Sequence, residues 1–150
     1  MSAEAKLKEL GYSLPQLPGP GGNYVPAKIV GNMVFLSGVI STDEHGVMAG
    51  LVGPERTIEE GYAAAQRCAL MHLAVLKQTL GSLDRVKQIV TVNGYVNTVT
   101  GFGDSPKVIN GASDLLVAVF GESGRHVRAA LGLTALPRNA MVELQMTVEI

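Results

Sequence analysis

Cysteine is almost missing from this chain. Cys68 is the only one in 150 residues, so no disulfide can close within the chain and a reducing compartment is expected. Charge is also scarce: 17% of residues are charged, the net charge is −1, and no cluster of Lys and Arg occurs. That argues against electrostatic capture of a nucleic-acid backbone. With 5% aromatics there is no basic stripe interleaved with stacking rings, so RNA is not an expected partner. No apolar run approaches membrane-spanning length, and no membrane association is expected. The first residues carry Glu4, Lys6, Lys8 and Glu9 without an apolar segment, which does not read as a signal peptide. A cytoplasmic protein is expected.

What is present is apolar. At 47% hydrophobic residues the chain can bury a sound core as one domain, and so low a charge content hints at a buried subunit interface. Ala3 to Leu10 reads as a short helix capped by Ser2 and stopped by Gly11. Residues 15–26 hold Pro15, Pro18, Pro20 and Pro26 with Gly19, Gly21 and Gly22, an irregular connection with Tyr24 as its one aromatic. Met33 to Ile40 reads as a strand, and Glu44-His45-Gly46 as a turn. Thr57 and Glu60 form a capping box ahead of Tyr62, Ala65, Ala69, Leu73, Leu76 and Leu80 at helical spacing, with Gly81 as the stop. A strand over Val86 to Val96, a helix from Ser105-Pro106 to Gly121 and two closing strands complete the order. This pattern predicts an α+β sheet with helices on one face.

In the run 124–144, Val127, Ala129, Leu131, Leu133 and Ala135 alternate as one apolar face, which puts Arg128 on the opposite face. After a turn at Pro137 to Ala140, Val142, Leu144, Met146, Val148 and Ile150 alternate again, and Glu143 falls on the non-core face. Lys87, Thr91, Asn93, Tyr95, Thr134, Gln145 and Thr147 join it, while Ile89 and Met141 break the pattern. Such a face is solvent-exposed or packed on a partner subunit through a wet interface. A guanidinium holds a carboxylate through paired charge-assisted hydrogen bonds, and a glutamate can deprotonate a water. A plain surface salt bridge fits the same pattern. If the last two strands form a hairpin, Arg128 faces about Glu149 and lies roughly 20 Å from Glu143 at strand rise. One site then needs two subunits.

Other chemistries lack their patterns. His45, His72 and His126 stand at no ligand spacing with Cys68 or an acidic pair, so no metal site is expected. Cys68 lies one turn from His72, but an inert, half-buried helical thiol is the expectation. The 19–22 glycine run and Gly101-Phe102-Gly103 lack the context of a phosphate cradle. Ser37 is followed by Gly38 on a strand, which is not a hydrolase elbow.

At these residues the chain resembles the RidA/YjgF family of enamine/imine deaminases, also called L-PSP endoribonucleases. Gly22-Asn23-Tyr24-Val25-Pro26-Ala27 is similar to the family's glycine-any-tyrosine motif, and residues 31–38 to its first strand ending in serine-glycine. Val108-Ile109-Asn110-Gly111-Ala112 is similar to its asparagine-bearing second helix. Arg128, Leu136-Pro137 and Val142-Glu143-Leu144 fit its spacing of arginine, leucine-proline and valine-glutamate. Residues 20–150 carry the resemblance, behind an extension over 1–19 that includes the short helix.

The resemblance implies a chorismate-mutase-like fold with two helices on one sheet face, a barrel-centred homotrimer and clefts between subunits. It implies hydrolysis of small 2-imino acids to 2-keto acids and ammonia, with no cofactor. Arg128 would clamp the substrate carboxylate, Glu143 would hold the water, Tyr24 and Asn110 would line the cleft, and Ser37 and Gly38 would contribute contacts. His126 stands where the family usually has proline, and Ala130 where cysteine is common. The alternatives are a trimer that binds small carboxylates or keto acids without turnover, and an endoribonuclease. A purely structural trimer is disfavoured because a buried, unpaired Arg128 would be costly.

Overall fold

The computed structural model describes residues 2–19 and 21–150 of the chain. The helices are α1 (Ala3–Glu9), α2 (Ile58–Leu80) and α3 (Ser105–Phe120). The strands are β1 (Ala27–Val30), β2 (Met33–Leu36), β3 (Val39–Ile40), β4 (Thr42–Asp43), β5 (Gly46–Val47), β6 (Gln88–Asn97), β7 (Val127–Leu133) and β8 (Val142–Glu149). The irregular connection holds over the described part of residues 15–26; Pro20 lies outside the described residues.

Local chemistry sets the long helix. Thr57 Oγ1 accepts from the Glu60 N–H at 3.0 Å while the Glu60 carboxylate accepts from the Thr57 N–H at 3.0 Å, closing the capping box. Gly81 ends α2 in the left-handed region, φ 85°, where its lack of a Cβ removes the strain. Proline near its start and Gly121 after Phe120 bound α3. α2 and α3 cross closely because Gly111 has no side chain: a methyl there would collide with the Tyr62 carbonyl oxygen. The short α1 is part of the same body, with Ala3 and Leu7 buried in the common core.

The main sheet runs β1-β2-β8-β6-β7, with β3 also pairing β8, and β4-β5 form a separate hairpin. β6 and β7 are parallel; β6 and β8 are antiparallel. Val34, Val92, Val96, Leu144, Met146 and Val148 point to one face and are buried beneath the helices.

Three expectations change here, and one exception finds its reason. First, the two closing strands are not a hairpin, because β6 lies between β7 and β8. Second, the faces of β7 are inverted. Arg128 is in register with the buried Val92 and so points to the helix side, while Val127, Leu131 and Leu133 lie on the uncovered face, 68%, 50% and 39% exposed. Arg128 itself is exposed, so the burial cost set against a structural role does not arise. Third, the strand expected over Met33 to Ile40 breaks at Ser37-Gly38. The exception is Ile89, because an irregularity between Ile89 and Thr91 pairs Ile89 with Val148 and Thr91 with Thr147. A bulge shifts the alternation by one residue, which explains why Ile89 is core while Thr91 is not.

Candidate active-site cleft

Two groups of predicted residues emerge, on different faces of the sheet. The first lies between α3 and the start of β7. Asn110 and Ser113 stand one turn apart on α3 and face His126 and Arg128, which stand two apart and so share a side of the strand. Together with Asp114, Val117, Ala118 and Arg125 they line an open cleft of about 700 Å³. Arg128 donates from Nη1 to Ser113 Oγ at 3.0 Å and from Nη2 to the Pro106 carbonyl at 3.2 Å. A guanidinium has five N–H donors, so three remain for a ligand. His126 Nε2 lies 2.8 Å from Ser113 Oγ, and its Nδ1 2.7 Å from the Gly124 carbonyl. Burial lowers the His126 pKa; the Gly124 hydrogen bond opposes this and the Arg128 charge adds to it.

The second group lies where β2, β3 and β8 meet. Glu143 pairs with Ile40 and Tyr95 on the uncovered face. It is half-buried, and burial pushes its carboxyl above the ordinary value. Its Oε2 covers Gly38 so closely that a methyl at position 38 would lie 2.5 Å away. Ser37 spends its polar groups on the scaffold: Oγ donates to the Val25 carbonyl at 2.6 Å and its N–H to the Pro26 carbonyl at 2.9 Å. This ties the segment bearing Tyr24 to the Ser37-Gly38 break. Tyr24 is exposed, and its hydroxyl accepts from the Gly21 N–H at 3.2 Å.

Beneath this group are two residues of α2. His72 is fully buried, and its Nε2 donates to the Ser37 carbonyl at 2.9 Å. Its pKa falls to about 4, because burial disfavours the charged form more than the hydrogen bond favours it. Cys68 is fully buried rather than half-buried, with its thiol near the Val39 and Val142 carbonyls. Burial, followed by the Glu143 charge, raises its pKa, so it carries no thiolate chemistry.

Within one chain the groups do not meet. Arg128 is in register with Val92 and Glu143 with Tyr95, on strands either side of β6. That is about 10 Å along the strands and about 10 Å across two strand spacings, with the side chains on opposite faces. This register replaces the hairpin estimate, but the separation stands. Sequence reasoning missed Ser113, whose only signal is its place one turn after Asn110. It considered His126 as a metal ligand, set that aside, and otherwise noted it as a departure from a family pattern.

The fold and sequence have known counterparts. The family described as "YjgF/chorismate mutase-like, putative endoribonuclease" matches residues 4–150. Protein TCP17 of Trypanosoma cruzi is 43% identical over 148 residues, which cover 97% of this chain and 92% of that protein. A 2-iminobutanoate/2-iminopropanoate deaminase of Dermatophagoides farinae is 30% identical over 138 residues, covering 92% and 94%. A crystal structure described as a "putative endoribonuclease" from Shewanella oneidensis superposes with a TM-score of 0.96 at 35% identity, covering all of both chains.

Proposed function

The chain belongs to the RidA/YjgF family, and on that premise we propose that it hydrolyses small 2-imino acids to 2-keto acids and ammonia. The observation that carries this reading is the pair of half-sites. One offers a guanidinium with free donors in an open cleft, and the other a half-buried carboxylate whose pKa is raised. A relative of the same family is a deaminase of such compounds.

In this reading Arg128 holds the substrate carboxylate, and Asn110 lines the same cleft. Glu143 comes from a neighbouring subunit, because one chain keeps the two groups on opposite faces. The uncovered sheet face, with Phe35, Val127 and Leu131 about half-exposed or more, supports burial between copies in a homotrimer. Tyr24 and the Ser37-Gly38 segment approach with Glu143. An imine carbon is already electrophilic, so water addition needs orientation and proton transfer rather than a cofactor. Glu143 takes one proton as the water oxygen bonds to that carbon and passes it to the nitrogen. The carbinol O–H then gives up the second, which reaches nitrogen by the same carboxylate as the C–N bond breaks, leaving the 2-keto acid and ammonia.

The test is pyruvate release from 2-iminopropanoate generated in situ. Wild type should accelerate it, Arg128→Ala should raise KM sharply, and Glu143→Gln should keep pyruvate binding while losing turnover. Equal activity of wild type and Glu143→Gln would overturn the catalytic assignment. Binding without turnover by wild type would leave a carboxylate-binding protein.

A further inference from the structure

Three hydrogen bonds behind Arg128 run in a single direction. The Gly124 carbonyl can only accept, so His126 Nδ1 carries the proton that reaches it at 2.7 Å. A neutral imidazole then presents its lone pair at Nε2, and the Ser113 hydroxyl 2.8 Å away must donate to it. With its proton committed, Ser113 Oγ turns a lone pair to Arg128 Nη1 at 3.0 Å. The order of donation is Arg128 to Ser113 to His126 to the Gly124 carbonyl. Burial and the Arg128 charge both favour the neutral imidazole that this order requires, although the Gly124 hydrogen bond acts against them.

We propose that His126 is a positioning residue for Arg128, acting through the Ser113 hydroxyl. This rests on the reading of Arg128 as the carboxylate clamp. The Pro106 carbonyl at 3.2 Å fixes a second point of the guanidinium. One acceptor alone leaves the group free to pivot; two define the direction of its remaining donors. Without His126, the Ser113 hydroxyl can rotate and present its proton to Arg128 instead of a lone pair. The backbone contributes too: residue 126 is two before 128, so both side chains must reach toward α3.

The experiment has two arms. In the first, histidine side-chain nitrogen NMR at neutral pH reads the His126 tautomer. The Nδ1–H form is expected, and the Nε2–H form would overturn the relay whatever the protein binds. In the second, pyruvate binding is measured calorimetrically for wild type, Arg128→Ala, Ser113→Ala, His126→Leu, His126→Gln and the Ser113→Ala/His126→Leu pair, with thermal melts confirming folding. Ser113→Ala should weaken binding about tenfold, the scale of one hydrogen bond to a charged group. His126→Leu should weaken it several-fold. His126→Gln should restore it, since its amide oxygen can accept from Ser113. The double variant should be no weaker than Ser113→Ala alone, as members of one chain are not additive. Unchanged binding in His126→Leu, or additive losses, would sink the proposal. Pyruvate binding that Arg128→Ala leaves intact would instead sink the clamp reading, while the tautomer still judges the relay.

Discussion

Glu143 lies over Gly38, with Oε2 where only a Cα that carries no side chain leaves it room. The strand break at Ser37-Gly38 and the carboxylate on β8 are therefore one feature. Gly38→Ala should push Glu143 aside without unfolding the chain, since the colliding atom ends a flexible side chain. Turnover of 2-iminopropanoate should fall about 100-fold, the effect of a misplacement near 1 Å. Full activity in a folded Gly38→Ala would show that Glu143 does not need this seat.

Acid stability should carry the mark of His72. Its ordinary value is 6.5 and its folded value about 4, so the folded protein keeps the imidazole neutral where the unfolded chain takes up a proton. A lowered folded value means the stabilising contribution is present above about pH 6.5 and is lost as pH falls toward 4. The loss across that window should be about 3 kcal/mol. Urea unfolding at pH 7, 5.5 and 4.5 would detect it. His72→Gln, which retains a donor for the Ser37 carbonyl, should flatten the slope; an unchanged slope would assign it to other groups.

The crossing of α2 and α3 should be unforgiving. A methyl at position 111 meets backbone, the Tyr62 carbonyl, which cannot rotate away. Gly111→Ala should cost about 3 kcal/mol by forcing the helices apart. Gly103, with nothing nearby and an ordinary φ, is the control, and its alanine variant should fall within about 0.5 kcal/mol of wild type. Similar melting temperatures for the two variants would contradict the packing account.

The helices were legible because their signals are local: the Thr57–Glu60 box, the proline near the start of α3, the closing glycines. The strand carrying Arg128 was misread for a reason of principle. Leu131 and Leu133 alternate as core residues do, and alternation identifies an apolar face without saying what covers it. Here the helices cover the other face. Val90 gives no warning that the alternation of β6 slips beside it, and nothing in the local sequence says that β6 separates β7 from β8. The candidate residues themselves were nominated by motif. Their division into an Arg128 group and a Glu143 group, and the presence of Ser113 in the first, required the fold.

The place of β8 has a consequence for how the chain is made. It follows every other element in sequence, yet pairs with β2, β3 and β6 in the middle of the sheet. Until residues 142–149 have left the ribosome, β2 on one side and β6 on the other must wait with open edges. Contacts between such distant segments form slowly, and open edges invite other chains. The final strand joins two unfinished half-sheets, and it brings Glu143 into place in the same step.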